Sequence, residues 1–304
     1  MNKSFPRPFQ KTFKETVLIT GASSGFGREL ISLYLEKGWT VLATLRDLES
    51  RKILFDSEQS RFSDRFFLFE LDVSKASDRE NILKKIDSEF EGRLDCLVNN
   101  AGFGLFGALE NLSEVQIRKQ MEVNFFGALF VTKTLLPKLR KAKGRIIFIS
   151  SVCGFSGLPL TSLYCASKYA LEGLAESLYF ELAPHGVQVC IVEPDQHKTQ
   201  FGKNTLWGEI AEDSPYQTQT QNYHRILQDR RNASKHSSKV VNAVIRLSEV
   251  HKMPLRKRCG ANALFLYFLK KLLPEKMAFA ILSFISTYFF NRKTKKGEGR
   301  MEES

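Results

Sequence analysis

From Glu15 to about Val192 the chain alternates short apolar runs with amphipathic stretches, and no other feature narrows its fold as much. Val17–Thr20, Thr40–Thr44, Phe66–Glu70, Cys96–Val98, Arg145–Ile149 and Val187–Val192 read as strands. Several are apolar at every position, as strands covered on both faces of a parallel sheet must be. Between them Gly25–Lys37, Lys75–Phe90, Glu114–Lys141 and Ser162–Pro184 read as helices. Strand–helix alternation of this length implies right-handed crossovers and a doubly wound parallel α/β sheet of Rossmann type. The expected organisation is an N-terminal arm at 1–14, one domain at 15–262 and an apolar helical extension with a basic tail at 263–304. Within the domain, Lys239–Val250 reads as a helix and Arg256–Cys259 as a last short strand. Gln196–Ser238 is polar and lacks a sustained period, which suits a substrate lid or an irregular loop.

Thr20-Gly21-Ala22-Ser23-Ser24-Gly25-Phe26-Gly27 lies between the first strand and the first helix. Glycines there let the backbone turn sharply and approach a pyrophosphate, whose charge meets the free N–H groups of the helix start. A Gly-rich turn without a ligand would have the same composition, but this position between strand and helix favours a cofactor. The second strand ends Ala43-Thr44-Leu45-Arg46-Asp47. Leu45 stands where a sheet that binds NAD carries an acid for the ribose hydroxyls. The Arg46 guanidinium and the Ser24 hydroxyl instead suit a 2′-phosphate, so NADP(H) is expected over NAD(H). Asp72-Val73 is placed to meet the adenine, although Asp72 is equally suited to capping a helix. Asn99-Asn100-Ala101-Gly102 supplies small residues where backbone must lie close to the cofactor.

Ile149-Ser150-Ser151 ends the fifth strand, and Tyr164-Cys165-Ala166-Ser167-Lys168 opens the next helix. Tyr164 and Lys168 are four apart and share a helix face. A phenol titrates near 10, so proton transfer near pH 7 asks for a shift of about 3, or roughly 4 kcal/mol. An ammonium about 5 Å away at an effective dielectric of about 20 supplies on the order of 3 kcal/mol. The expectation is that Lys168 provides most of the shift and the oxidised nicotinamide the rest. Ser151 can hydrogen-bond the reacting oxygen, and Asn124 can hold a water that relays protons to Lys168.

With these residues in place the chain resembles the short-chain dehydrogenases/reductases. The resemblance rests on TGASSGFG (20–27), NNAG (99–102), Asn124, Ser151 and YCASK (164–168), in order and at suitable spacing, over about Val17 to Thr199. It implies a catalytic tetrad of Asn124, Ser151, Tyr164 and Lys168, with Tyr164 and Lys168 also touching the cofactor. ATLRDL (43–48), NAGFGLFGALE (100–110) and GLPLTSLYCASKYALEGLAESL (157–178) are similar to the subgroup of 17β-hydroxysteroid dehydrogenase type 1 and related retinol dehydrogenases. That likeness implies a lipophilic alcohol or ketone. The family pattern after the sixth strand is Pro-Gly, whereas this chain has Pro194-Asp195. Pro194 and Thr199 still match cofactor-contacting positions, and His197 beside them is expected to offer backbone contacts only.

The net charge of +12 is concentrated at the end of the chain. Residues 252–304 hold twelve Lys/Arg against four Asp/Glu, two-thirds of the imbalance. Such an end suggests a membrane surface or a polyanion, and no nucleic-acid-binding motif accompanies it. Met277–Phe290 is uncharged but, at 14 residues, shorter than the roughly 20 that a spanning helix needs. It reads either as a terminal helix packed over a pocket or in a homo-oligomer interface, or as a peripheral membrane contact. The five cysteines are widely spaced and odd in number, with no C-x-x-C pair, so neither a disulfide scaffold nor a metal site is expected. Residues 1–14 lack the apolar core of a secretory signal. These features lead to the expectation of a cytoplasmic protein, peripherally membrane-associated if the C-terminal segment meets lipid. The alternatives are a 3-oxoacyl (carrier protein) reductase and a nucleotide-sensing protein on the same fold.

Overall fold

The alternating runs assemble into one seven-stranded parallel sheet in the computed structural model, which describes residues 15–195, 200–211, 213–233 and 237–290. In chain order the strands are β1 Thr16–Ile19, β2 Thr40–Leu45, β3 Phe66–Glu70, β4 Cys96–Asn99, β5 Leu105–Phe106, β6 Arg145–Ile149, β7 Gln188–Pro194, β8 Leu206–Trp207 and β9 Arg256–Cys259. The sheet runs β3-β2-β1-β4-β6-β7-β9, and β5 and β8 form a separate parallel pair. The helices are α1 Gly25–Glu36, α2 Leu48–Arg51, α3 Asp56–Arg61, α4 Ala76–Glu89, α5 Glu114–Met121, α6 Ala128–Ala142, α7 Ser162–Leu182, α8 Gln217–Ala233, α9 Ser238–Glu249, α10 Ala261–Leu272 and α11 Glu275–Phe290.

Alternation along β1 shows why the sheet is covered twice. Val17 and Ile19 enter a core shared with Leu30, Ile31, Val241 and Val244 of α1 and α9. Leu18, between them, points into a second core with Ile82, Val131, Leu135 and Leu171 of α4, α6 and α7. The chain winds outward from β1 through β2 to β3, then returns to place β4 on the other side of β1. That reversal opens a crevice beyond the carboxyl ends of the strands, where such sheets bind ligands.

Two expectations change in detail, and one stretch that carried no expectation is helical. The stretch read as one helix at Glu114–Lys141 is two, α5 and α6, joined by a π turn at Glu122–Gly127 that contains Asn124. Leu48–Arg61 is helical, although its short turns carry no extended apolar period. Within the segment expected to be irregular, Gln217–Ala233 forms α8. Its polar composition hides a face defined by tertiary contacts with α11 and the cavity rather than by sequence period.

Candidate active site

The first turn of α1 begins after Ser24, which has an extended backbone and makes no side-chain cap. A helix start of this kind, with its positive dipole end facing the cleft, favours an anion. Gly21, Ser23, Ser24, Gly25 and Phe26 line the cleft at this point. Gly21 and Gly25 have φ of +66° and +58°, and a Cβ on Gly21 would fall 2.8 Å from the Ala101 Cα. Asn100 braces the turn by donating through Nδ2 to the carbonyls of Thr20 and Gly21 at 2.9 and 3.1 Å. Gly27 does not face the cleft. A Cβ there would lie 2.6 Å from Asn100 Nδ2 and 2.7 Å from the Gly21 carbonyl, so Gly27 permits the brace to pack instead of contacting a ligand.

At the end of β2, Arg46 lines the cleft as expected, and Arg51 of α2 joins it. Arg51 donates to the Ser23 hydroxyl at 3.2 Å, tying this second guanidinium to the phosphate turn. Sequence reasoning missed Arg51 because α2 was not read as a helix. Asp72, Val73, Ala101 and Gly102 line the next part of the wall. Asp72 accepts through Oδ1 from the Ser74 amide and hydroxyl at 3.0 and 2.6 Å. Burial raises its carboxyl, but these bonds and the Arg46 charge outweigh burial and hold it below the ordinary range. One oxygen of Asp72 therefore serves the local turn. A helix start, a glycine cradle and two guanidiniums on the wall fit the phosphates of a dinucleotide.

Ser151, Tyr164 and Lys168 come together at the floor of the same cleft. Ser151 accepts from the Cys153 amide at 3.2 Å, and its hydroxyl also engages the Tyr164 phenol. Lys168 Nζ donates to the Ile149 carbonyl at 2.8 Å and lies 5.8 Å from the centre of the Tyr164 ring. Burial pulls the Lys168 ammonium down to about 8, opposed by Cys153 and Glu172. Burial likewise raises the Tyr164 phenol, Cys153 adds to that, and Ser151 opposes it. The expectation that Lys168 supplies most of the phenol's downward shift is not met within the protein alone. Desolvation of a fully buried phenolate exceeds what one partly depressed ammonium returns.

Asn124 stands behind this floor. Its Oδ1 accepts from the Phe103 amide at 3.0 Å, and its Nδ2 donates to the Phe103 carbonyl at 2.9 Å and to Ser167 at 3.3 Å. The side chain is thus committed to the loop after Gly102. The backbone of its π turn departs from the regular helical ladder. Pro194 lines the cleft, whereas His197 and Thr199 lie outside the described residues.

Beyond Tyr164 the cleft widens into an apolar chamber, and the whole cavity has a volume of about 1090 Å³. Phe106 is its hub, meeting Tyr164, Trp207 and Tyr223 edge-on with centroids 5.8, 5.7 and 6.0 Å away. Phe265 and Leu266 of α10 and Phe279, Leu282 and Ile285 of α11 form the roof. Asp195 links roof and floor. Its Oδ2 accepts from the Asn262 amide at 3.0 Å, capping α10 from outside, while its own amide donates to Cys259. Gly260 has φ +116°, and a Cβ there would fall 2.1 Å from the Asp195 carboxylate. The departure from Pro-Gly therefore seats the start of α10. Among the described residues no helix is long and apolar enough to cross a membrane.

A cleft at the reversal of a parallel sheet, with a serine, tyrosine and lysine at its floor, defines an oxidoreductase built on a dinucleotide-binding fold. The short chain dehydrogenase model matches residues 15–208, and the chain belongs to that family, whose members act on alcohols and ketones. Over 266 residues it is 33% identical to a 3-ketodihydrosphingosine reductase of Bacteroides thetaiotaomicron, covering 86% of this chain and 94% of that protein. Human retinol dehydrogenase 8 is 35% identical over 254 residues, 80% of each chain. A short-chain dehydrogenase structure from Streptomyces avermitilis matches with a TM-score of 0.76 at 30% identity, covering 90% of this chain and 96% of that one.

Proposed function

We propose that the protein uses NADP(H) to interconvert a hydrophobic alcohol and its ketone or aldehyde, of steroid, retinoid or lipid type. The observation that carries this reading is the meeting of the Ser151, Tyr164 and Lys168 floor with an aromatic chamber. When bound, the nicotinamide supplies or takes up hydride. The Tyr164 Oη gives a proton to the nascent alkoxide in reduction and removes it in oxidation. Ser151 hydrogen-bonds the same oxygen and so holds the carbonyl against the phenol. Lys168 places a positive charge beneath the phenolate, and the chamber excludes water from the reacting centre. Arg46 and Arg51 favour the 2′-phosphate of NADP(H), as fixed guanidiniums match phosphate oxygens.

Asn124 completes the tetrad in this reading through its backbone, and His197 and Thr199 belong to the nicotinamide end. The segment 196–238 acts as lid and α10–α11 as roof. Phe268, Leu272, Met277 and Phe284 are exposed on that roof beside Lys270, Lys271 and Lys276. Such a surface suits a second copy of the chain or peripheral contact with an anionic membrane from the cytoplasmic side. Co-sedimentation with anionic vesicles separates the two, since an oligomer interface would leave the protein in the supernatant.

The functional reading is tested by following NADPH absorbance with 3-ketodihydrosphingosine, all-trans-retinal and a 17-ketosteroid. Reduction of at least one, with NADPH preferred over NADH, is expected. Turnover of short polar carbonyls alone would contradict it.

A further inference from the structure

A buried cluster of charges lies behind the catalytic lysine. Glu172 is one turn along α7 from Lys168, and both side chains are buried. Glu172 Oε2 is 3.2 Å from Nε of Arg256 on β9, and the same guanidinium also binds Glu176. Arg256 Nε is 3.2 Å from Glu193 Oε1 on β7, and Arg258 Nε is 2.9 Å from Glu193 Oε2. Arg256 and Arg258 are two apart on a strand, so both point to this side of the sheet. The remaining oxygen of Glu172 faces the Ser150 hydroxyl. It is turned toward the loop at the end of β6, where a Cβ on Gly154 would fall 2.8 Å from Oε1 and 2.5 Å from the Ser150 hydroxyl. Ser150 lies between Ile149, whose carbonyl receives Lys168, and Ser151.

A buried ion pair contributes little to stability that a well-packed apolar side chain would not, so stability does not explain this cluster. Its position suggests another role. We propose that Glu172 is a positioning residue for Lys168: clamped by Arg256 on one side and open toward Ser150 on the other, its carboxylate keeps the lysine charged in a site stripped of water. This rests on the catalytic reading of Lys168 and extends it to a residue that touches neither substrate nor cofactor.

The surrounding groups agree. Lys168 faces Tyr164 and Glu172 from its own helix and Cys153 from the turn after β6. The Cys153 thiol is pushed up by its neighbour Cys165 and by burial, so it stays protonated and adds no charge. Glu172 is left as the anion that opposes the depression of the ammonium. Glu172 faces Ser150, Arg256, Glu176 and Glu193. Burial raises its carboxyl, while Ser150 and Arg256 resist and Glu176 adds to the rise. Arg256 opposes that rise, so β9 at the sheet edge acts on the lysine through Glu172.

The test reads Lys168 directly. In the full-length protein carrying 13Cε-labelled lysine, its resonance is identified by its loss in Lys168→Arg, and its midpoint is expected near 8. Glu172→Gln, close in shape but uncharged, is expected to lower that midpoint by about one pH unit, and Glu172→Asp to restore most of it. An unmoved midpoint in a folded Glu172→Gln protein overturns the proposal. Should that variant not fold, the wild-type curve decides, because the resonance is expected to show a second inflection where Glu172 titrates at its own 13Cδ. A single-step curve there also overturns it. The underlying reading fails separately, through Tyr164→Phe retaining turnover, an outcome that leaves the Lys168 titration intact.

Discussion

The floor and the roof of the cavity are built by opposite means. The floor consists of strand ends and helix starts between Thr20 and Pro194, where a few polar groups are held by bonds near 3 Å. The roof of α10 and α11, with β8 and α8 beside it, meets the chamber largely through aromatic and aliphatic surface. Chemistry requires reacting groups within hydrogen-bond reach of one another, and a rigid sheet edge can supply that. Selection of a greasy substrate requires only area and shape, which helices outside the sheet can change without disturbing the floor.

If the contrast holds, lesions in the floor should act on turnover and lesions in the roof on apparent affinity. Lys168→Met should reduce turnover about 10²- to 10⁴-fold. In the wild type, the Lys168 ammonium is depressed to about 8 and is lost as pH rises through that value, so reductive turnover should fall above it. Steady-state rates across pH check both statements. Arg46→Asp combined with Arg51→Gln should cut the NADPH-over-NADH preference by about tenfold to a hundredfold, the worth of one or two charge-assisted bonds. Comparing kcat/KM for the two cofactors measures it. Trp207→Ala should raise KM for an apolar substrate by about tenfold while kcat changes little, and an equal loss in both would break the contrast. The smallest effect is expected at the joint between the regions. Asp195→Ala removes a helix cap worth about 1 kcal/mol, so the amides of α10 should exchange faster in deuterium while those of α7 do not.

How much of this was legible follows the same division. The apolar strands announced themselves because both faces are buried, so every position reports the core. The cradle and the floor were legible because glycines at positive φ and a strand-end serine facing a helix-start tyrosine allow few substitutes. Asn124 was found by its resemblance, but the role of its side chain was not, since nothing local reveals that the Phe103 backbone occupies it. Gly27 looked like a ligand contact because cradle glycines and packing glycines are identical in sequence. Trp207 and Tyr223 were hidden in a polar stretch, because the Phe106 ring they meet lies about a hundred positions away. Arg51, Asp195 and Glu172 needed the fold, because their partners lie 28, 67 and 84 positions away.

The central claim is that Tyr164 moves the proton at a floor that binds the cofactor independently. Tyr164→Phe tests it when NADPH fluorescence titration and substrate-dependent NADPH oxidation are measured on the same preparation. The account expects NADPH affinity within a few-fold of wild type and turnover lower by about 10²-fold or more. Turnover near the wild-type rate with the cofactor still bound would contradict it.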